Sequence, residues 1–137
     1  NQLNISKNMG RLFASFVLLF LFLVGCNNNL NNRMVREAQE YTQKHCPQRL
    51  DDFTVLDSMV YDVSTRIYWR CFSIDTSAAS VVLSRKDVLK QYLVNELKGD
   101  AKWKTCKDEA INFGYVYKAI DNGQTVCTII LEPKDYQ

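Results

Sequence analysis

The hydrophobic pattern changes character several times along the chain, and each change predicts a different element. From Leu12 to Val24 the residues are almost continuously apolar, and the run stops at Gly25-Cys26 before Asn27, Asn28 and Asn29. Its 13 residues fall short of the roughly 20 that a membrane-spanning helix needs. Val35, Ala38 and Tyr41 then recur every three residues, which predicts a first helix over 33–44, halted by Pro47. Between Phe53 and Asp75 the chain turns to β-branched and aromatic residues. This predicts strand segments at 54–56 and 59–61, a turn near Ser64-Thr65-Arg66, and a return strand over 67–74. A second helix is expected after Ser84, with Asp87 completing a capping box, and Gly99 as its stop. Its apolar stripe is Val88, Leu89, Tyr92, Leu93 and Leu97. Last, Ala110–Ile120 and Gln124–Leu131 flank Asn122-Gly123, the pair favoured in a type I′ hairpin turn, which sets Lys118 opposite Cys127.

The predicted order is therefore α-β-β-α-β-β, an α+β class. Met59-Val60-Tyr61 recurs as Tyr115-Val116-Tyr117 at an offset of 56, and Cys71 matches Cys127 and Ile74 matches Ile130 at the same offset. This reads as a pseudo-duplication. Two joined hairpins would form a four-stranded antiparallel sheet with both helices packed on one face. In general layering such an arrangement resembles cystatin-like, TATA-binding-like or ferredoxin-like folds.

Charge sharpens the meaning of the apolar run. The chain carries 17 basic and 15 acidic residues, and Lys7 and Arg11 are the only charges before Cys26, so the remainder is formally neutral. A positive start, a short apolar stretch and Leu23-Val24-Gly25-Cys26 resemble a bacterial lipoprotein signal peptide over residues 9–26. The resemblance implies cleavage before Cys26, an acyl lipid such as palmitate on Cys26, and an envelope location outside the cytoplasm. Residues 27–32 are then a polar tether and 33–137 a single domain. A neutral domain lacks the basic surplus that phosphate binding requires, and the lysines at 98, 102, 104 and 107 are interleaved with Asp100, Asp108 and Glu109. Nucleic acid is not expected as a partner.

Removing Cys26 leaves Cys46, Cys71, Cys106 and Cys127. An even number outside the cytoplasm reads as two disulfides, with three connectivities open; one bond per repeat unit would join Cys46 to Cys71 and Cys106 to Cys127. No Cys-x-x-Cys spacing marks a metal or redox centre, and no cofactor is expected.

Catalytic signals are sparse. His45 is the sole histidine and adjoins Cys46, while Asp51 and Asp52 form an acidic pair. A small hydrolase-type site near His45 and Asp51/Asp52 is the alternative reading. Adjacent side chains diverge, however, and a disulfide-bonded Cys46 is no nucleophile. The glycines form no phosphate loop, so no catalytic residue is assigned. The positive expectation concerns aromatics: two helices would leave one sheet face free, exposing some of Met59, Tyr61, Tyr68, Phe72, Tyr115 and Tyr117. That face would bind an envelope or extracellular protein or glycan.

Cys46-Pro47 with Asp51-Asp52, Leu56-Asp57-Ser58, the tyrosine hairpin and Pro133-Lys134-Asp135-Tyr136 together resemble a group of small bacterial lipoproteins or exported proteins. The group implies no activity for these positions.

Overall fold

A computed structural model describes residues 29–137. The apolar segment 9–26, its lipidation residue Cys26 and the start of the tether lie outside the described residues. Two compact units divide between Met34 and Val35. The first contributes only residues 29–34 to the described chain, as the first turns of a helix, α1, that spans 29–45. Within the described residues it is already helical at residue 29, four residues before the expected Arg33.

The second unit is built on five strands: β1 (Gln48–Arg49), β2 (Thr54–Asp62), β3 (Ile67–Ile74), β4 (Asn112–Ala119) and β5 (Thr125–Leu131). They lie in sequence order in one sheet. All neighbours are antiparallel except β3 and β4, which pair in parallel from Ile67↔Asn112 to Ile74↔Ala119. The helices α2 (Thr76–Ser84), α3 (Lys86–Gly99), α4 (Lys104–Asp108) and α5 (Pro133–Tyr136), with a short 3-10 turn at Ala101–Trp103, complete the fold. The expected four-stranded, two-helix antiparallel topology is thus wrong, and the reason is the connection between the hairpins. Residues 75–111 form a long helical crossover, which returns the chain to the starting end of the sheet and forces β4 parallel to β3.

The pseudo-duplication fails on side-chain direction. Cys71 lies on the open face of the sheet whereas Cys127 is buried on the helix-covered face, and Ile74 is buried while its supposed equivalent Ile130 is exposed. The sheet carries two bulges, one between Leu56 and Ser58 and one between Tyr117 and Lys118, and the second causes this. Each extra residue flips the alternation beyond it. The first lets Leu56 and Met59, three residues apart, point to the same core. The second places Cys127 opposite Tyr117 instead of Lys118. At that hairpin only Gly123 takes a positive φ, of 68°, so the two-residue type I′ turn is replaced by a longer loop with a bulge.

On the covered face β3 and β4 present paired rows: Tyr68 beside Phe113, Arg70 beside Tyr115, Phe72 beside Tyr117. Trp103 stands edge-on to Tyr68 and to Phe113, at centroid distances of 5.1 and 5.7 Å. Tyr136 closes the end, its ring against Phe113 and its hydroxyl donating to the Ile111 carbonyl at 2.6 Å. α5 is held in place by a reciprocal cap between Glu132 and Asp135. On the open face the Trp69 ring lies directly over Gly114, where an added Cβ would come within 2.3 Å of it. The outer edge of β2 is closed at Met59, whose N–H donates to the Thr42 hydroxyl (2.9 Å) and whose carbonyl accepts from it (3.0 Å).

Candidate functional site: the cleft beneath α2

The crossover starts with α2, and its formation is local. The Asp75 side chain caps the helix by accepting from the Ser77 N–H at 2.9 Å, and Ala78, Ala79, Val81, Val82 and Leu83 carry it forward. These are core-type residues, yet no residue of α2 is buried. Val81 and Leu83 are more than half exposed. Helix α3 shows the other half of the pattern. Its C-terminal turns bury Leu93, Val94 and Leu97 against the sheet, whereas Val88 and Tyr92 near its start stay exposed. The helical layer is therefore seated at one end and open at the other.

The opening is a cleft of about 430 Å3 whose floor is Phe72 and Tyr117, stacked at 4.8 Å and 11°. Its walls include Leu50, Ala78, Val82 and Tyr92. A second depression of about 480 Å3 continues the apolar surface over Phe53, Val81 and Val82. On the far side, a cavity of about 510 Å3 is framed by Trp103, Tyr115, Lys102 and Asp100. Arg70 and Glu96 line both this cavity and the 430 Å3 cleft.

Arg70 is the unusual residue. It occupies an inward position of β3 among aromatic neighbours, with its guanidinium carbon 5.5 Å from the Phe72 ring and 6.0 Å from the Tyr115 ring. Those contacts favour the cation. Its Nε, however, is buried without a hydrogen-bond partner. Such a donor costs on the order of 1–3 kcal/mol. Glu96 does not relieve it, for its carboxylate takes a 2.8 Å hydrogen bond from the Tyr92 hydroxyl on the rim. Burial pushes the Tyr115 hydroxyl up to about 12, against the opposing pull of Arg70. Tyr117 is raised by burial too, so near neutrality both hydroxyls are uncharged. The cleft thus combines an apolar wall, an aromatic floor and one under-satisfied cation.

The residues expected to form the binding face are elsewhere. Met59, Tyr61, Tyr68, Phe72, Tyr115 and Tyr117 all point under the helices, and none is more than 6% exposed. They share one face of the sheet, but it is the covered face, and they form the core. Only the edges of Phe72, Tyr115 and Tyr117 reach the cavities. Arg70 was legible as a charged residue alternating with Tyr68 and Phe72, and it was that signal which the aromatic pattern obscured.

The expected disulfides are absent: Cys46, Cys71, Cys106 and Cys127 are free thiols. The registers explain why. Cys106 lies in α4 and is tied to the residue before β4, its carbonyl accepting from the Ile111 N–H, whereas Cys127 faces Tyr117. Six strand residues separate these points, about 20 Å, far beyond the roughly 7 Å Cα limit for a bridge. Cys71 pairs with Ser58 on β2, and the Cys46 end of α1 lies beyond β2's other edge. That leaves about two strand spacings, close to 10 Å, between Cys46 and Cys71. His45 is exposed and packs on Tyr41 at a centroid distance of 4.7 Å. Asp51 accepts from the Phe53 N–H and Asp52 uses its carbonyl toward Arg49, so neither is poised with His45. Among the described residues no group of three or more His, Cys, Asp or Glu could hold a metal, and no helix is long and apolar enough to cross a membrane.

Fold and cleft define a small α+β domain with a helical layer incompletely seated on a five-stranded mixed sheet. The model of a domain family of unknown function (DUF8479) matches residues 29–127, and the chain belongs to that family. No curated protein matches the sequence. Several solved structures share the fold. A Pseudomonas aeruginosa protein described as secreted aligns with a TM-score of 0.71 at 13% identity, over 81% of this chain and 96% of that one. The pilotin EpsS of the Vibrio vulnificus type 2 secretion system aligns at 0.59 and 13%, over 81% and 94%. The Vibrio cholerae type II secretion pilotin AspS aligns at 0.61 and 12%, over 82% and 97%.

Proposed function

We propose that this chain is an exported envelope accessory, anchored by lipid at Cys26, that holds an apolar segment of a protein partner in the cleft beneath α2. The observation that carries the reading is α2 itself: none of its Ala, Val and Leu residues is buried, and it stands beside a cleft at whose base the edges of Phe72 and Tyr117 show. A helix needs a packing partner for its apolar face, and here the domain leaves that place vacant. Exported proteins and secretion pilotins sharing the fold support an envelope setting, and the signal-like segment ending at Cys26 supports the anchor. Protein is favoured over glycan because the cleft wall is aliphatic, and sugars are usually read by aromatic platforms and polar groups.

The test places a photocrosslinking residue at Tyr92 in the native envelope and compares the captured partner with and without Val82→Arg. Val82 is half-exposed, so a charge there obstructs the cleft without invading the core. Capture should fall at least tenfold while circular dichroism stays unchanged. Undiminished capture by folded Val82→Arg protein would refute the cleft. Cys26→Ser should independently move the protein from the membrane to the soluble fraction.

A further inference from the structure

We propose that Arg70 anchors a single carboxylate carried by the partner segment, so that the cleft selects an acidic side chain set among apolar ones. This rests on the cleft being the docking place and adds what it reads. The Nε of Arg70 is a buried donor without an acceptor at the junction of two cavities. Among the described residues no carboxylate is ion-paired with it, whereas Arg36, Lys90, Lys104 and Lys134 each have an acidic partner. Guanidinium Nε and Nη form a planar fork that matches the two oxygens of a carboxylate. The rings of Phe72 and Tyr115 lie beside the guanidinium and restrict that fork.

The surroundings decide which anion fits. Asp51 and Glu96 line the cleft with Arg70, and Asp100 joins Glu96 in the adjoining cavity, where Lys102 is the other cation. A phosphate, with its greater charge and three acceptor oxygens, would be repelled by those acids. One carboxylate on the guanidinium meets less opposition, and its apolar flanks find Val82, Ala78 and Leu89. An aspartate or glutamate with apolar neighbours one helical turn away has that chemistry.

The full mature chain would be challenged with a display library of random peptides of about twelve residues, roughly three helical turns. Enriched sequences should carry one acidic residue between apolar ones. The best of them, measured by fluorescence anisotropy, should weaken about tenfold to a hundredfold when its acid becomes the amide. Arg70→Met should impose the same loss on the acidic peptide and almost none on the amide form. Arg70→Lys should restore little, because an ammonium cannot make the fork. Apolar peptides without acid that are blocked by Val82→Arg would overturn the carboxylate anchor and leave the cleft standing. Peptides indifferent to Val82→Arg, or an Arg70-dependent preference for inorganic phosphate over every acidic peptide, would overturn the anchor as well; the former would also remove the cleft.

Discussion

Replacing Gly114 with alanine isolates one contact that the fold cannot relax easily. An added Cβ would lie 2.3, 2.5 and 2.7 Å from three atoms of the Trp69 ring, all within the range where something must shift. Trp69 and Gly114 are direct partners across the parallel β3–β4 pair, so neither backbone can withdraw without breaking the ladder. The ring must swing toward solvent instead, giving up its packing over the strand. Overpacking of this kind costs about 1–3 kcal/mol. Taking about 2 kcal/mol, the folding constant drops about 30-fold and the melting temperature by about 10 °C for a domain near 100 residues.

Urea unfolding of four proteins measures it: the parent, Gly114→Ala, Trp69→Ala and the double variant. Once the ring is gone the methyl has room, and a strand-interior glycine is usually the weaker residue by about 0.5–1 kcal/mol. In the Trp69→Ala background the second change should therefore be neutral or stabilising. The coupling between the two sites should approach the whole single-variant loss. An equal penalty in both backgrounds would refute the steric account. Gly99→Ala is the control, since a Cβ there meets nothing within 4 Å.

Four further outcomes follow from the same structure. Thr42→Val keeps the shape but leaves the Met59 N–H and carbonyl without their hydroxyl partner; denaturant melts should show a loss of about 1–3 kcal/mol, with Thr42→Ser recovering most of it, and an unchanged midpoint would show that water replaces the bond. Arg70→Met removes the unpartnered buried donor and should stabilise the isolated domain by about 1 kcal/mol; a clear loss would mean that Arg70 is needed to hold the aromatic rows together. Burial raises Tyr115 from 10.0 to about 12 and raises Tyr68 and Tyr117 as well, so these groups contribute stability that is complete below pH 10 and disappears as pH rises from 10 through about 12. Tyrosinate absorbance should rise late and together with unfolding, and ordinary titration near pH 10 in folded protein would contradict the burial. Finally, all four thiols should label in denaturant without reductant, and in native protein the half-buried Cys46 and Cys71 should label before the buried Cys106 and Cys127; fewer than four in denaturant would reinstate a disulfide.

The strands were legible because β-branched and aromatic runs have few other places to go. The return strand over 67–74 coincides with β3, and the C-terminal strands and the end of α3 at Gly99 also stand where their patterns put them. Ser84 instead ends α2, and α3 starts from Arg85 without the expected Ser84–Asp87 capping box. What alternation could not supply was the parity of each side chain beyond a bulge. Leu56-Asp57-Ser58-Met59 reads as broken alternation, yet the extra residue is what returns Met59 to the core. The same device on the β4–β5 pair separates Cys71 from Cys127 in direction. The disulfide reading counted cysteines where register, invisible to counting, keeps them apart. Helix α2 was missed for a different reason: its polar face is only the short serines Ser77, Ser80 and Ser84, with no charged residue to mark a period.

The exposed apolar residues of α2 connect the fold to the cleft. A crossover between parallel strands needs enough helix to cover the sheet, and here the C-terminal turns of α3, with Trp103, Cys106 and Tyr136, already supply buried groups for that layer. The apolar residues of α2 exceed what the core uses. Were stability alone at issue, exposed Val81 and Leu83 would be better replaced by polar residues, and Arg70 by an aliphatic one. The apolar wall that α2 supplies at Ala78 and Val82 lines one cleft with a cation whose Nε has no acceptor, and Val81 continues that wall in the depression beside it. Independent defects would have no reason to share a cleft. A bound segment that brings apolar side chains and one carboxylate satisfies both at once, which is why the two departures are best read as one site.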